Sequence, residues 1–157
     1  MKNISLVTLL FAAFFVSCSS NSKLNKREMK DFYVSIEKTP CYGKCPMYKM
    51  EINGLGEANL EAIRFMKNLG SSTSQLSADE MARVVVQSEN TDWESYDDEY
   101  LTGYSDLPST IVRFSKCEGD TSILRYESNK APVEIRILVE TLDSLRKVMV
   151  WKSDDFD

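Results

Sequence analysis

The chain has 157 residues, with 19 Lys and Arg against 24 Asp and Glu and a formal charge of −5. That acidic balance argues against nucleic-acid binding, since phosphate contacts need a basic surface. There is no histidine, which removes Ser-His-Asp and Cys-His catalysis and imidazole ligation from the chemistry of this chain.

The first residues read MKNISLVTLLFAAFFVSCSS. Lys2 precedes an apolar run from Ile4 to Val16, too short for a spanning helix but the length of a signal-peptide core. Phe15-Val16-Ser17-Cys18 resembles a bacterial lipobox, with Phe where Leu is commoner. The expectation is a lipoprotein signal peptide over 1–17, cleaved before Cys18, whose thiol and new N-terminus carry palmitate-type acyl chains. Each buried methylene contributes about 0.8 kcal/mol, so two or more chains make a stable membrane anchor. Residues 18–30, polar and partly basic, read as a flexible tether. The lack of an acidic residue just after Cys18 favours an outer-membrane, periplasm-facing location, given a Gram-negative source. One small domain is expected over 31–152, followed by an acidic tail at 153–157.

Within that domain, DFYVSIEK alternates Phe32, Val34 and Ile36 against Tyr33, Ser35 and Glu37, the pattern of a half-buried strand. TPCYGKCPMY follows, and MYKMEI alternates again up to the turn signal NGLG at 53–56. A type II turn over Cys41-Tyr42-Gly43-Lys44, with Gly43 at positive φ, would return Cys45 beside Cys41 within disulfide reach. In an oxidising compartment that pair is expected to be bonded. The segment 57–65 is open between helix, by composition, and strand, by its place after Asn53-Gly54. LSADEM then marks a helix start, with Ser77 as N-cap, Glu80 closing the capping box, and Leu76 and Met81 placed as a hydrophobic staple.

TDWESYDDEYLTGYSD places Trp93, Tyr96, Tyr100 and Tyr104 among Asp97, Asp98 and Asp106. Aromatic rings beside carboxylates suit a sugar or a cationic peptide, and paired carboxylates can run glycoside hydrolysis. The plain alternative is a solvated loop whose aromatics dip into the core. TIVRF and SILRYE alternate around CEGD as a hairpin. Pro132 opens a last helix whose stripe of Ile135, Leu138, Val139, Leu142, Leu145 and Met149 is core-facing, with Glu134, Arg136, Glu140, Asp143 and Lys147 opposite. The sum is an α+β domain, an antiparallel sheet of about five strands with two helices packed on one face.

Cys117 complicates the thiols. With Cys18 acylated three remain, and three cannot all pair internally. A metal site would use Cys41, Cys45 and Cys117, with Met47 or Met50 as soft ligands suited to copper, or zinc with a fourth ligand. A thiol redox enzyme would want two intervening residues and a helix N-terminus at the first cysteine. Here the second cysteine runs straight into a strand.

CYGKCPMYKMEI resembles the signature of the family catalogued as domain of unknown function 6438, through Cys41, Tyr42, Gly43, Cys45, Pro46, Tyr48 and Gly54. YSDLPSTIVRF, with Asp106 and Pro108, and APVEIRILVETLDSL resemble its later parts, so the likeness spans about Phe32 to Trp151. The family usually carries a glycine in the segment where this chain has Ala62. The resemblance implies a third strand over EANLEAIRF and a bacterial envelope setting, and it carries no established activity. The functional expectation is a lipid-anchored, non-catalytic binding or scaffold domain without a cofactor, with an envelope protein or glycan as partner and no nucleic acid. A thiol-based metal or redox protein and a carbohydrate-binding or carbohydrate-active protein are the alternatives.

Overall fold

A computed structural model describes residues 29–117 and 119–153. Cys18, the expected signal peptide, nearly all of the expected tether and residues 154–157 lie outside the described residues.

The elements run β1 (Tyr33–Lys38), β2 (Met47–Asn53), β3 (Glu57–Arg64), β4 (Gly70–Gln75), α1 (Ala78–Glu89), a 3-10 turn at Trp93–Ser95, β5 (Glu99–Tyr100), β6 (Ser109–Cys117), β7 (Asp120–Glu127), α2 (Val133–Val148) and β8 (Lys152–Ser153). The strands form one sheet in the order β5-β7-β6-β1-β2-β3-β4-β8. Every pair is antiparallel except β5 with β7. The α+β class with two helices holds, but the sheet has eight strands and is mixed, not about five and antiparallel. The reason lies in the extra strands. β5 and β8 have two residues each, too few for a period, and β4 reads GSSTSQ, with no apolar residue to alternate.

Residues 57–64 are a strand. Ala58, Leu60 and Ala62 are buried while Glu57, Asn59 and Glu61 are exposed, and the strand is laddered on both sides. Burial of alternate positions overrides the helical propensity of Ala, Leu and Glu. The inward rows Val34–Ile52, Ile36–Met50, Met50–Leu60 and Val112–Leu124 face each other across the registers. They share one core with Met81, Val84 and Val85 of α1 and with Ile135, Leu138, Leu142 and Leu145 of α2. The opposite face carries polar pairs such as Glu37–Arg113 at 3.0 Å and Tyr33 donating to Glu51 at 2.6 Å. Ser35 lies on that polar face yet is buried, flanked in register by Glu51 and Arg113.

α1 begins as expected. Ser77 Oγ accepts from the Glu80 N–H, the Glu80 carboxylate accepts from the Ser77 N–H at 2.8 Å, and Leu76 and Met81 are both buried. At α2, Pro132 is the N-cap residue and not the first helical one. Met29 falls inside the segment expected as a tether. It is buried in the core, and its carbonyl accepts from the Phe32 N–H at 3.2 Å. Gly54 makes room for it, because a Cβ there would fall 1.5 Å from the Met29 oxygen. At the other end Ser153, inside the segment expected as an acidic tail, pairs with Ser72.

Candidate functional site

The loop between β1 and β2 is closed by a Cys41–Cys45 disulfide, with the Cα atoms 5.9 Å apart. Gly43 does not enter the left-handed region, so the expected type II turn is not formed. The covalent closure, not a glycine turn, sets the loop's shape, and a Cβ at Gly43 would only touch Cys41 Sγ at 3.7 Å. Tyr42 stands 92% exposed at the tip, while its N–H donates to the Asp106 carbonyl at 3.4 Å.

Cys117 is a free, exposed thiol at the far end of β6. Thr110 pairs with Lys38 next to the disulfide loop, and Cys117 lies seven positions further along β6. At about 3.3 Å per residue that is roughly 20 Å. Met50 is buried in the core. Among the described residues no three His, Cys, Asp or Glu side chains are grouped to hold an ion.

Beside the loop, on the helix side of the sheet, lies a polar cluster that sequence reasoning missed. Tyr48 OH donates to Asp143 Oδ1 at 2.5 Å. Arg146 Nε donates to the same oxygen at 2.9 Å, and its guanidinium lies 4.5 Å from the Tyr48 ring centroid. Lys147 Nζ reaches Asp143 Oδ2 at 2.7 Å. Burial pushes the Asp143 carboxyl up, but hydrogen bonds from Lys147, Tyr48 and Arg146 outweigh it and hold it at about 2. Burial, reinforced by the Asp143 hydrogen bond, pushes the Tyr48 phenol well above its usual range. Burial lowers Lys38, whose Nζ donates to Thr110 Oγ1 at 2.7 Å. The available signal was Tyr48 itself, an inward-facing strand position whose hydroxyl needed a buried partner.

The acidic-aromatic stretch divides. Trp93, Tyr96, Asp97 and Asp98, with Glu99, line a groove of about 590 Å³ against Ile111 and Arg113 of β6 and Thr121–Arg125 of β7. Tyr100 packs against the core from β5, and its hydroxyl accepts from the Asp97 N–H at 3.1 Å. Tyr104 and Asp106 lie elsewhere, Tyr104 exposed and Asp106 against the disulfide loop. The aromatics mostly serve the fold. Trp93 stacks on Phe114 at 5.3 Å and donates its indole N–H to Ser88 O, and Tyr96 OH donates to Glu134 at 3.0 Å.

The groove's floor is a strand edge. The Arg125 N–H donates to Asp98 O at 2.7 Å, so Arg125 turns its backbone groups toward β5. Along a strand these groups alternate sides, so Ile123 and Thr121 turn theirs the same way. β5 pairs only at Arg125 and Tyr126, and the chain before it veers off into the 3-10 turn. Among the described residues no strand pairs with Thr121 or Ile123 on that side. The lining holds three carboxylates, Asp97, Asp98 and Glu99, against two guanidiniums. One of those, Arg113, is already held by Glu37.

A second missed feature fixes the loop after β5. Glu127, buried in β7, accepts from both Thr102 N–H at 2.8 Å and Thr102 Oγ1–H at 2.6 Å. Those two bonds, the hydroxyl's first, lower its carboxyl.

These elements define a class: a one-sided α+β domain, with two helices on one face of a single sheet and a disulfide-closed loop joining its first two strands. The chain belongs to the family described as domain of unknown function (DUF6438), which it matches over residues 32–146. No curated protein matches it.

Proposed function

We propose that this protein is a non-catalytic binding module of the bacterial cell envelope, held by acyl chains on Cys18 and presenting the groove beside β7. The groove over an unpaired strand edge carries the binding part of this reading. The anchoring part rests on Phe15-Val16-Ser17-Cys18 and the apolar run before it. The chain enters the sheet at Tyr33, opposite Ser115 and Asn53, whereas the disulfide loop lies at the Lys38 end. An anchored domain would therefore carry that loop at the end away from its tether.

Neither alternative has comparable support. The three thiols are split between opposite ends of β6, and the aromatic rings of 93–100 are engaged by Phe114, Ser88, Glu134 and Asp97. Two measurements test the reading together. Radiolabelled palmitate is expected to mark the chain and to be lost in Cys18→Ala. A photo-crosslinking amino acid at Ile123 is expected to give adducts in intact cells, where the same group at Asn68, on the β3–β4 turn, gives none. Turnover of an envelope glycan or peptide by the purified protein, abolished by replacing one groove carboxylate, would sink the non-catalytic reading.

A further inference from the structure

We infer that the groove takes an extended, basic peptide segment of a partner protein, added as a strand to the free edge of β7. This rests on the binding reading above and names its ligand. Backbone polar groups are obligatory hydrogen-bonding groups, and an open edge is a template for another strand. Thr121 and Ile123 turn theirs into the groove at the point where β5 stops pairing. A short strand laid there would continue the line of β5, bonding to Ile123 as Asp98 bonds to Arg125. Alternate side chains of such a peptide would face the two sides of the sheet. One row would pass Ile111 and Ile123 on the open face, and the other would pass Trp93 on the helix side.

The charge of the occupant follows from the lining. Asp97, Asp98 and Glu99 stand together at the groove. Arg113 is paired with Glu37, and Arg125 lies 4.0 Å from Glu99 and donates to Ser109 Oγ at 3.0 Å. The two cations are thus occupied, while among the described residues neither Asp97 nor Asp98 is in an ion pair. Lysine or arginine side chains on the added strand would complement them.

Fluorescence anisotropy with the full-length chain in detergent micelles tests this, with empty micelles as blank. The probe is a labelled hexapeptide alternating Lys and Val. Its Glu-for-Lys counterpart, and a version N-methylated at alternate amides facing the edge, are each expected to bind at least about tenfold more weakly. Asp97→Lys with Asp98→Lys is expected to cost a similar factor without moving the melting temperature. Ile123→Pro, which removes an outward N–H at a tolerated edge position, should do likewise. Equal binding of both charge signs, indifference to N-methylation, or absence of binding overturns the proposal. Binding that Asp97 and Asp98 govern but N-methylation does not would overturn strand addition and leave the binding reading standing. A tenfold gain on replacing Lys23, Lys26 and Arg27 by Gln would make the chain's own tether the occupant, and would overturn a partner peptide.

Discussion

Tyr48 and Asp143, 95 residues apart, share a 2.5 Å hydrogen bond that ties the start of β2 to the second half of α2. The carboxylate is held from three sides, by Tyr48, Arg146 and Lys147. Replacing Tyr48 by Phe removes one donor and leaves the ion pairs, and should destabilise the fold by about 1–2 kcal/mol. Asp143→Asn leaves Arg146 without its counter-ion in a site mostly screened from water, and should cost about 2–3 kcal/mol. Urea titrations at pH 7 measure both.

The same carboxylate sets an acid limit. Its folded value of about 2 lies below its ordinary 3.8. A depressed carboxylate contributes stability that is complete above its unfolded pKa and is lost as pH falls through the folded one. The wild type should therefore lose up to about 2 kcal/mol between pH 5 and pH 2 through this group, and Asp143→Asn should show a correspondingly flatter profile. Urea midpoints over that range decide it. Parallel profiles for the two proteins would assign the acid limb to other carboxylates.

The disulfide closes a loop of five residues, Cys41 through Cys45. Chain-entropy reasoning gives about 2 kcal/mol for so short a loop. The Cys41→Ala, Cys45→Ala double variant should thus stay folded, with a melting temperature lower by several degrees. Without reductant, iodoacetamide should label Cys117 alone among the cysteines after position 18, and after reduction all three. Protection of Cys117 in the native protein, or a retained copper or zinc ion, would contradict the exposed, isolated thiol.

Much of this architecture is readable from the amino-acid order because its signals are local. Ser77 and Glu80 cap α1 through groups three residues apart, and the alternation of Phe32, Val34 and Ile36 needs only one buried face. The polar strand β4 left no such trace, since its residues are strand by virtue of β3 beside it. Helical periodicity puts Asp143 with the polar residues of α2, because it knows nothing of Tyr48 across the core. The groove was half visible. Trp93, Tyr96, Asp97 and Asp98 stood out by composition, but its floor is a strand edge, and edges are set by which strands fail to pair.

Gly54 illustrates a non-local demand on one residue. Its missing Cβ is the space filled by the Met29 carbonyl. Gly54→Ala cannot be relieved by a rotamer change, because the clash is with backbone. The segment before β1 must lift away, with loss of Met29 from the core and a cost of about 1–3 kcal/mol. Limited proteolysis should show new cleavage between 29 and 32 in the variant, while α2 remains protected.

Trp93 offers the sharpest separation of fold from binding at the groove. One ring face is stacked on Phe114, and the indole N–H is bound to Ser88 O at 2.8 Å. If the residue mainly anchors the 3-10 turn, Trp93→Ala should cost about 3–5 kcal/mol, and Trp93→Phe, which retains an aromatic stack and loses the hydrogen bond, about 1–2 kcal/mol. The ligand should then follow stability. Trp93→Phe should bind the Lys-Val peptide within about threefold of wild type, because the strand-edge groups of Thr121 and Ile123 and the carboxylates of Asp97 and Asp98 are untouched. A tenfold loss in Trp93→Phe at unchanged melting temperature would mean that the indole itself holds the ligand, and would move the recognition from the backbone edge to the ring.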